Sequence, residues 1–140
     1  MSCGIGGGTI AIAALREAAL TALRRRDLGA AAAAVEQLAA LRATSTAGDA
    51  GAHAELGDLW SALADYTAAE QSYTRAIALA PGEPRLWFNR AAVRRFLGRI
   101  EAAEADYDRV IADYSEAIRL DPKYADPYFI PGRLSLARSH

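Results

Sequence analysis

The chain is poor in residues that cross-link, coordinate metals or build strands. Cys3 is the single cysteine, so an internal disulfide and a cysteine-based zinc cluster are excluded. Only His53 and His140 offer imidazole, and Lys123 is the single lysine. Val, Ile and Thr together number 17 of 140 residues, too few for an all-β fold or a doubly wound sheet. No apolar run approaches the roughly 20 residues needed to span a bilayer. The start, Met1 to Thr9, lacks the basic region and continuous apolar core of a signal peptide. Ser2 stands where a myristoylation signal needs glycine. The expected setting is therefore cytoplasmic. With 16 basic and 17 acidic residues the net charge is −1. There is no polybasic field for nucleic acid or a membrane surface.

Alanine is what the chain has in excess: 34 residues, about a quarter of the total. It is the best helix former, and the expected fold class is all-α. A chain of 140 residues is one domain's worth and buries roughly two-thirds of its unfolded surface. Residues 1–9 are glycine-rich and are expected to form a flexible tail. Residues 10–49 read as an alanine-rich helical hairpin, with Val35, Leu38 and Leu41 on one face and a polar break at Arg24–Asp27. A Ser/Thr/Gly stretch at 43–51 marks a boundary.

From Ala52 the helical pattern repeats. His53 to Trp87 is 34 residues, and so is Tyr73 to Tyr107. Trp87 to Tyr128 and Pro81 to Pro122 are both 41. The excess of 7 residues is a duplicated heptad, Ala105–Ile111 followed at once by Ala112–Ile118, each opening on Ala-Asp-Tyr and closing on Ile. Seven residues are nearly two helical turns, so the insertion lengthens a helix by roughly 10 Å and rotates its apolar stripe by only about 20°. One long helix is predicted from about Glu101 to Leu120, ended by Asp121-Pro122.

This period of paired helices resembles the tetratricopeptide repeat (TPR) family. The resemblance rests on Leu56, Gly57, Trp60, Ala69, Tyr73, Ala76 and Pro81, with Asp65-Tyr66 at the turn, and on Trp87, Leu97-Gly98, Ala103, Tyr107 and Ala117–Pro122. It implies a right-handed superhelix of helix-turn-helix hairpins: repeats at 50–83 and at 84–124 with the heptad extension, then a capping helix at 125–140. Seven helices are expected in all. Arg90 and Arg94 replace apolar packing residues, which predicts a looser hairpin or arginine stems that snorkel outward. Pro131 is expected to kink or delay the last helix.

The resemblance also implies a peptide-binding groove on the inner faces of the first helices, presenting Asp58, Arg85, Phe88, Asn89, Arg95, Phe96 and Phe129. Arginine suits carboxylates there, and phenylalanine an apolar side chain. The competing reading pairs the arginines of this helix with the acidic long helix. A chaperone-type carboxylate clamp is not expected, because Ala54 and Asp58 stand where it would need a cation and an amide. The carboxylates Glu101, Glu104, Asp106, Asp108, Asp113 and Glu116 read as a solvated helix face rather than an acid/base pair. His53 reads as a packed side chain, without the second ligand three or four residues away that a metal would need. No enzyme activity, cofactor or metal is expected. The expected function is a protein-interaction adaptor or scaffold. The alternative is a self-assembling structural protein that homodimerises through Tyr128, Phe129, Ile130, Leu134 and Leu136 of the last helix, together with the extended helix.

Overall fold

The computed structural model describes residues 3–45, 49–101 and 104–126. Among them are six α-helices, a short 3-10 turn and no strand. They are α1 (Cys3–Arg24), α2 (Leu28–Ser45), α3 (Ala50–Ala62), α4 (Tyr66–Leu79), α5 (Pro84–Glu101) and α6 (Glu104–Leu120), with the 3-10 turn at Pro122–Ala125. Consecutive helices form the hairpins α1–α2, α3–α4 and α5–α6, and α4 packs broadly against α5. The expected capping helix and its apolar residues, Tyr128 to Leu136, lie outside the described residues.

The first two hairpins turn by the same local chemistry. Arg26 (φ 59°) and Ala64 (φ 61°) each step into the left-handed region. Each is followed by an aspartate that starts the next helix. Asp27 Oδ1 accepts from Ala30 N at 3.1 Å, and Asp65 Oδ1 accepts from Ala68 N at 3.2 Å. Such caps each stabilise a helix by about 1 kcal/mol. The backbone closes alike in both turns: Asp27 N donates to Ala22 O and Asp65 N to Trp60 O, each at 2.9 Å. Asp49 caps α3 through Ala52 N at 3.1 Å.

Alanine allows the helices to approach closely. Ala19, Val35 and Leu38 are wholly buried and cluster with Ala34 and with Leu56 and Leu59 of α3, with Trp60 at the edge. Side chains such as Val35 and Leu38 each contribute about 1.5–3 kcal/mol by burial. Arg42 and Arg16 hold Glu55 from two helices, at 2.8 Å and 2.5 Å, and so tie α1 and α2 to α3. A second cluster joins Ala54, Ala76 and Ile77 to Leu86 of α5.

One expectation needs correction. The glycine-rich start is not a tail among the described residues: α1 begins at Cys3. A helix nucleated further along the chain adds terminal residues without a new nucleation cost. That offsets a glycine deficit of about 1 kcal/mol per residue. The long helix expected from about Glu101 to Leu120 is α6, Glu104–Leu120. α5 runs through Leu97-Gly98 to Glu101, past the point where the preceding repeat turns at Leu63–Asp65, and α6 begins at Glu104.

At their described positions the two duplicated heptads pack alike: Val110 and Ala117 are buried, and Ile111 and Ile118 are exposed. Ala69, Ser72, Tyr73 and Ala76 are buried in α4. Forty-one positions later, Val110, Asp113 and Ala117 are buried and Tyr114 is half-buried, whereas Ile111 is 63% exposed. Val110 at the end of the first copy and Asp113, Tyr114 and Ala117 of the second thus stand where α4 places Ala69, Ser72, Tyr73 and Ala76. The helix is continuous across Ala105–Ile118 and stops at Leu120, ahead of Pro122, as its sequence predicts.

Candidate functional site

An open pocket of about 240 Å3 lies where the end of α3 and part of α4 face one side of α5. Asn89, Ala92 and Phe96 line it from one face of α5, at the three- and four-residue spacing that brings helix side chains together. Ser61 lines it from α3, and Tyr66 and Tyr73 from α4. Phe96 stacks on Tyr66 with ring centres 4.9 Å apart and planes 10° from parallel. Tyr66 is placed there by the Asp65 cap, which sets where α4 begins.

Behind this wall the Tyr73 hydroxyl donates to Asp58 Oδ1 at 2.5 Å. Although Asp58 is an exposed residue, crowding of its carboxyl is the larger influence and lifts its pKa above the usual 3.8. The Tyr73 hydrogen bond, and then the Arg85 charge, work the other way. Burial raises the Tyr73 phenol well above its ordinary 10.0, and the Asp58 charge adds to the rise. The hydroxyl stays protonated and acts as a fixed donor.

Of the sequence-predicted residues, Asn89 and Phe96 line the pocket, and Asp58 and Arg85 lie close enough to it for their charges to act on Tyr73. Arg95 flanks it, its guanidinium 5.8 Å from the Phe96 ring centre. Phe88 is not among the residues that line this pocket. Its ring meets Tyr114 edge-on and Tyr124 at a tilt, each at 5.3 Å, because the 3-10 turn after α6 brings Tyr124 back over the start of α5. Phe129 lies outside the described residues.

Arg90 and Arg94 neither loosen the hairpin nor snorkel to water. Arg90 grips Asp113 with Nε at 2.9 Å and Nη2 at 3.0 Å, and reaches Thr74 with Nη1 at 3.2 Å. Arg94 bonds Glu70 at 2.7 Å and Asp113 at 2.9 Å. Asp113 keeps 3% of its side chain exposed, so it is not part of a solvated face. The Arg90 guanidinium also lies 5.0 Å from the Trp87 ring. This network joins α4, α5 and α6.

Tyr73, Tyr66 and Ser61 were not among the expected groove residues. Tyr73 reads as a packing residue, which it is. The signal for its second role is that a buried tyrosine hydroxyl needs a partner, and Asp58 supplies it from 15 positions earlier. Among the described residues no cluster of three or more His, Cys, Asp or Glu suits a metal. No described helix is long and apolar enough to cross a membrane.

A family model described as tetratricopeptide repeat matches residues 50–83 and 84–112. The second match stops within the duplicated heptads, one residue before Asp113. No curated protein matches the sequence significantly. Among solved structures, MamA is 20% identical with a TM-score of 0.59, over 79% of this chain and 58% of that one. The chain thus spans little more than half of MamA's length. The Arabidopsis OM64 TPR domain is 19% identical, TM-score 0.59, covering 82% of this chain and 86% of that one. The Yersinia enterocolitica type III secretion chaperone SycD, solved with a peptide of the translocator YopD, is 18% identical, TM-score 0.56, over 89% and 82%. At these identities the likeness is one of fold. The stacked hairpins, the capped turn of α3–α4 and the family match over residues 50–83 and 84–112 show that this chain carries two tetratricopeptide repeats.

Proposed function

We propose that the chain is a protein-interaction adaptor that holds an extended peptide segment in the groove between α3 and α5. The observation that carries this reading is the open pocket of about 240 Å3 with Tyr66, Tyr73 and Phe96 around it and the Asn89 amide at its side. Its size suits one large apolar side chain, and Phe96, 37% exposed, leaves an aromatic surface for it. Asn89 has both donors and an acceptor for a peptide backbone. Because the Tyr66–Phe96 stack and the Asp58–Tyr73 bond already hold the walls, ligand binding orders little on the receptor side. SycD, which shares the fold, was solved with a bound peptide, and this supports the same use here.

The test is to select peptides by display against the full chain and to measure their affinity by fluorescence anisotropy. Phe96→Ala and Asn89→Ala should each weaken binding about tenfold, the scale of a central interface residue. Selected peptides that bind both variants as tightly as the parent chain would remove the groove from consideration.

A further inference from the structure

Apart from the α3–α5 groove, a cleft of about 440 Å3 lies where the last turns of α2 and α4 meet the first turn of α3. It is lined by Ala43, His53, Arg75, Ala78 and Leu79. Two of these side chains are unspent. His53 is only 6% exposed, and its Nδ1 is fully buried with no hydrogen-bond partner. Neither of its ring nitrogens is bonded among the described residues. Native proteins seldom leave such a group unsatisfied. Arg75 stands four residues before Leu79 on the same face of α4, and it forms no ion pair among the described residues. The rest of the lining is apolar, with Leu79 43% exposed.

The charge of the cleft follows from its parts. The first turn of α3 presents its positive end, while the last turns of α2 and α4 present negative ends, each about half a charge. The full positive charge of Arg75 decides the balance in favour of an anion. An imidazole N–H and a guanidinium can both donate to one carboxylate. A bare ion would leave the apolar walls and most of the volume unused, whereas an aliphatic chain fills both.

We propose that this cleft binds an aliphatic carboxylate, with its oxygens held between His53 and Arg75 and its chain lying on Ala78 and Leu79. The site is separate from the peptide groove, and either can stand without the other.

The experiment follows the imidazole resonances of isotopically labelled full-length chain while sodium hexanoate is added at constant pH and ionic strength. The His140→Gln variant identifies the His53 signals. A saturable shift of the His53 ring is expected, with hexanol and sodium chloride failing to reproduce it. Arg75→Gln, a surface change, should weaken hexanoate binding about tenfold, the loss of one charge-assisted bond. Phe96→Ala should leave it unchanged, which separates this site from the groove. The proposal is overturned if His53 does not respond, if hexanol shifts it equally, or if Arg75→Gln binds as well as the parent.

Discussion

The ring of Tyr73 occupies the space that a β-carbon on residue 57 would need: a methyl built on Gly57 would sit 2.6 Å from Tyr73 Cε1. α3 and α4 touch here, and the same tyrosine then carries its hydroxyl to Asp58. Gly57→Ala gains up to about 1 kcal/mol of helix propensity, but it must displace an aromatic ring in a filled core at about 1–3 kcal/mol. We expect a net loss of stability, read as a lower urea midpoint. Combining it with Tyr73→Leu should cost less than the sum of the two single changes. Strict additivity would show that the contact does not constrain the hairpin.

Asp113 is the hub of the buried polar network. Asp113→Ala leaves the Arg90 and Arg94 guanidinium groups, 11% and 16% exposed, without their shared partner. Breaking a buried pair in this way costs about 3–5 kcal/mol. The preceding repeat has Leu56, Trp60 and Ser72 at the corresponding places. Transplanting these together (Arg90→Leu, Arg94→Trp, Asp113→Ser) should leave stability unchanged or raise it, by up to about 4 kcal/mol. Thermal unfolding of both variants decides the matter, since the single change should melt far below the triple one.

The duplicated heptads give a third expectation. Deleting 105–111 removes the added length and keeps Asp113, Tyr114 and Ala117 together. We expect a cooperatively folded chain whose second hairpin turns at Leu97-Gly98. Deleting 112–118 instead brings Val110 to the place of Ala117, which is 0% exposed. That overpacking should cost about 1–3 kcal/mol relative to the first deletion. Circular-dichroism melts with the opposite ranking would show that Asp113, Tyr114 and Ala117 are not the residues that hold this hairpin together.

Alkaline pH probes Tyr73. Its folded pKa is raised above the unfolded value of 10.0 by burial, so above pH 10 the unfolded chain loses a proton that the folded chain keeps. The stability this group contributes is present below pH 10 and is lost as pH rises beyond it. Tyr73→Phe should abolish that part of the alkaline loss, seen in urea midpoints measured from pH 8 to about 11. An identical pH slope in the variant would show that Tyr73 ionises freely.

Much of the hairpin architecture could be read from residue types in register. Gly57, Ala69, Tyr73 and Ala76 announced their packing, Asp65 its cap, and Pro122 the end of α6. The groove was less legible. Asn89 and Phe96 reach the pocket together because one helix face is a matter of spacing alone. Phe88 shares that spacing, yet the residues after α6 return and cover it. Nothing local to α5 distinguishes the two phenylalanines.

The amino-acid order alone settled that helices would form, where the first matched repeat turns and that a heptad was copied, because propensity, turn chemistry and periodicity act over a few residues. Tertiary packing chose whether Arg90 and Arg94 face water or Asp113, and where the second hairpin turns. An arginine on a helix has the same local free energy in either case, so only the fit against the neighbouring helices, which brings Asp113 of α6 to α5, separates them.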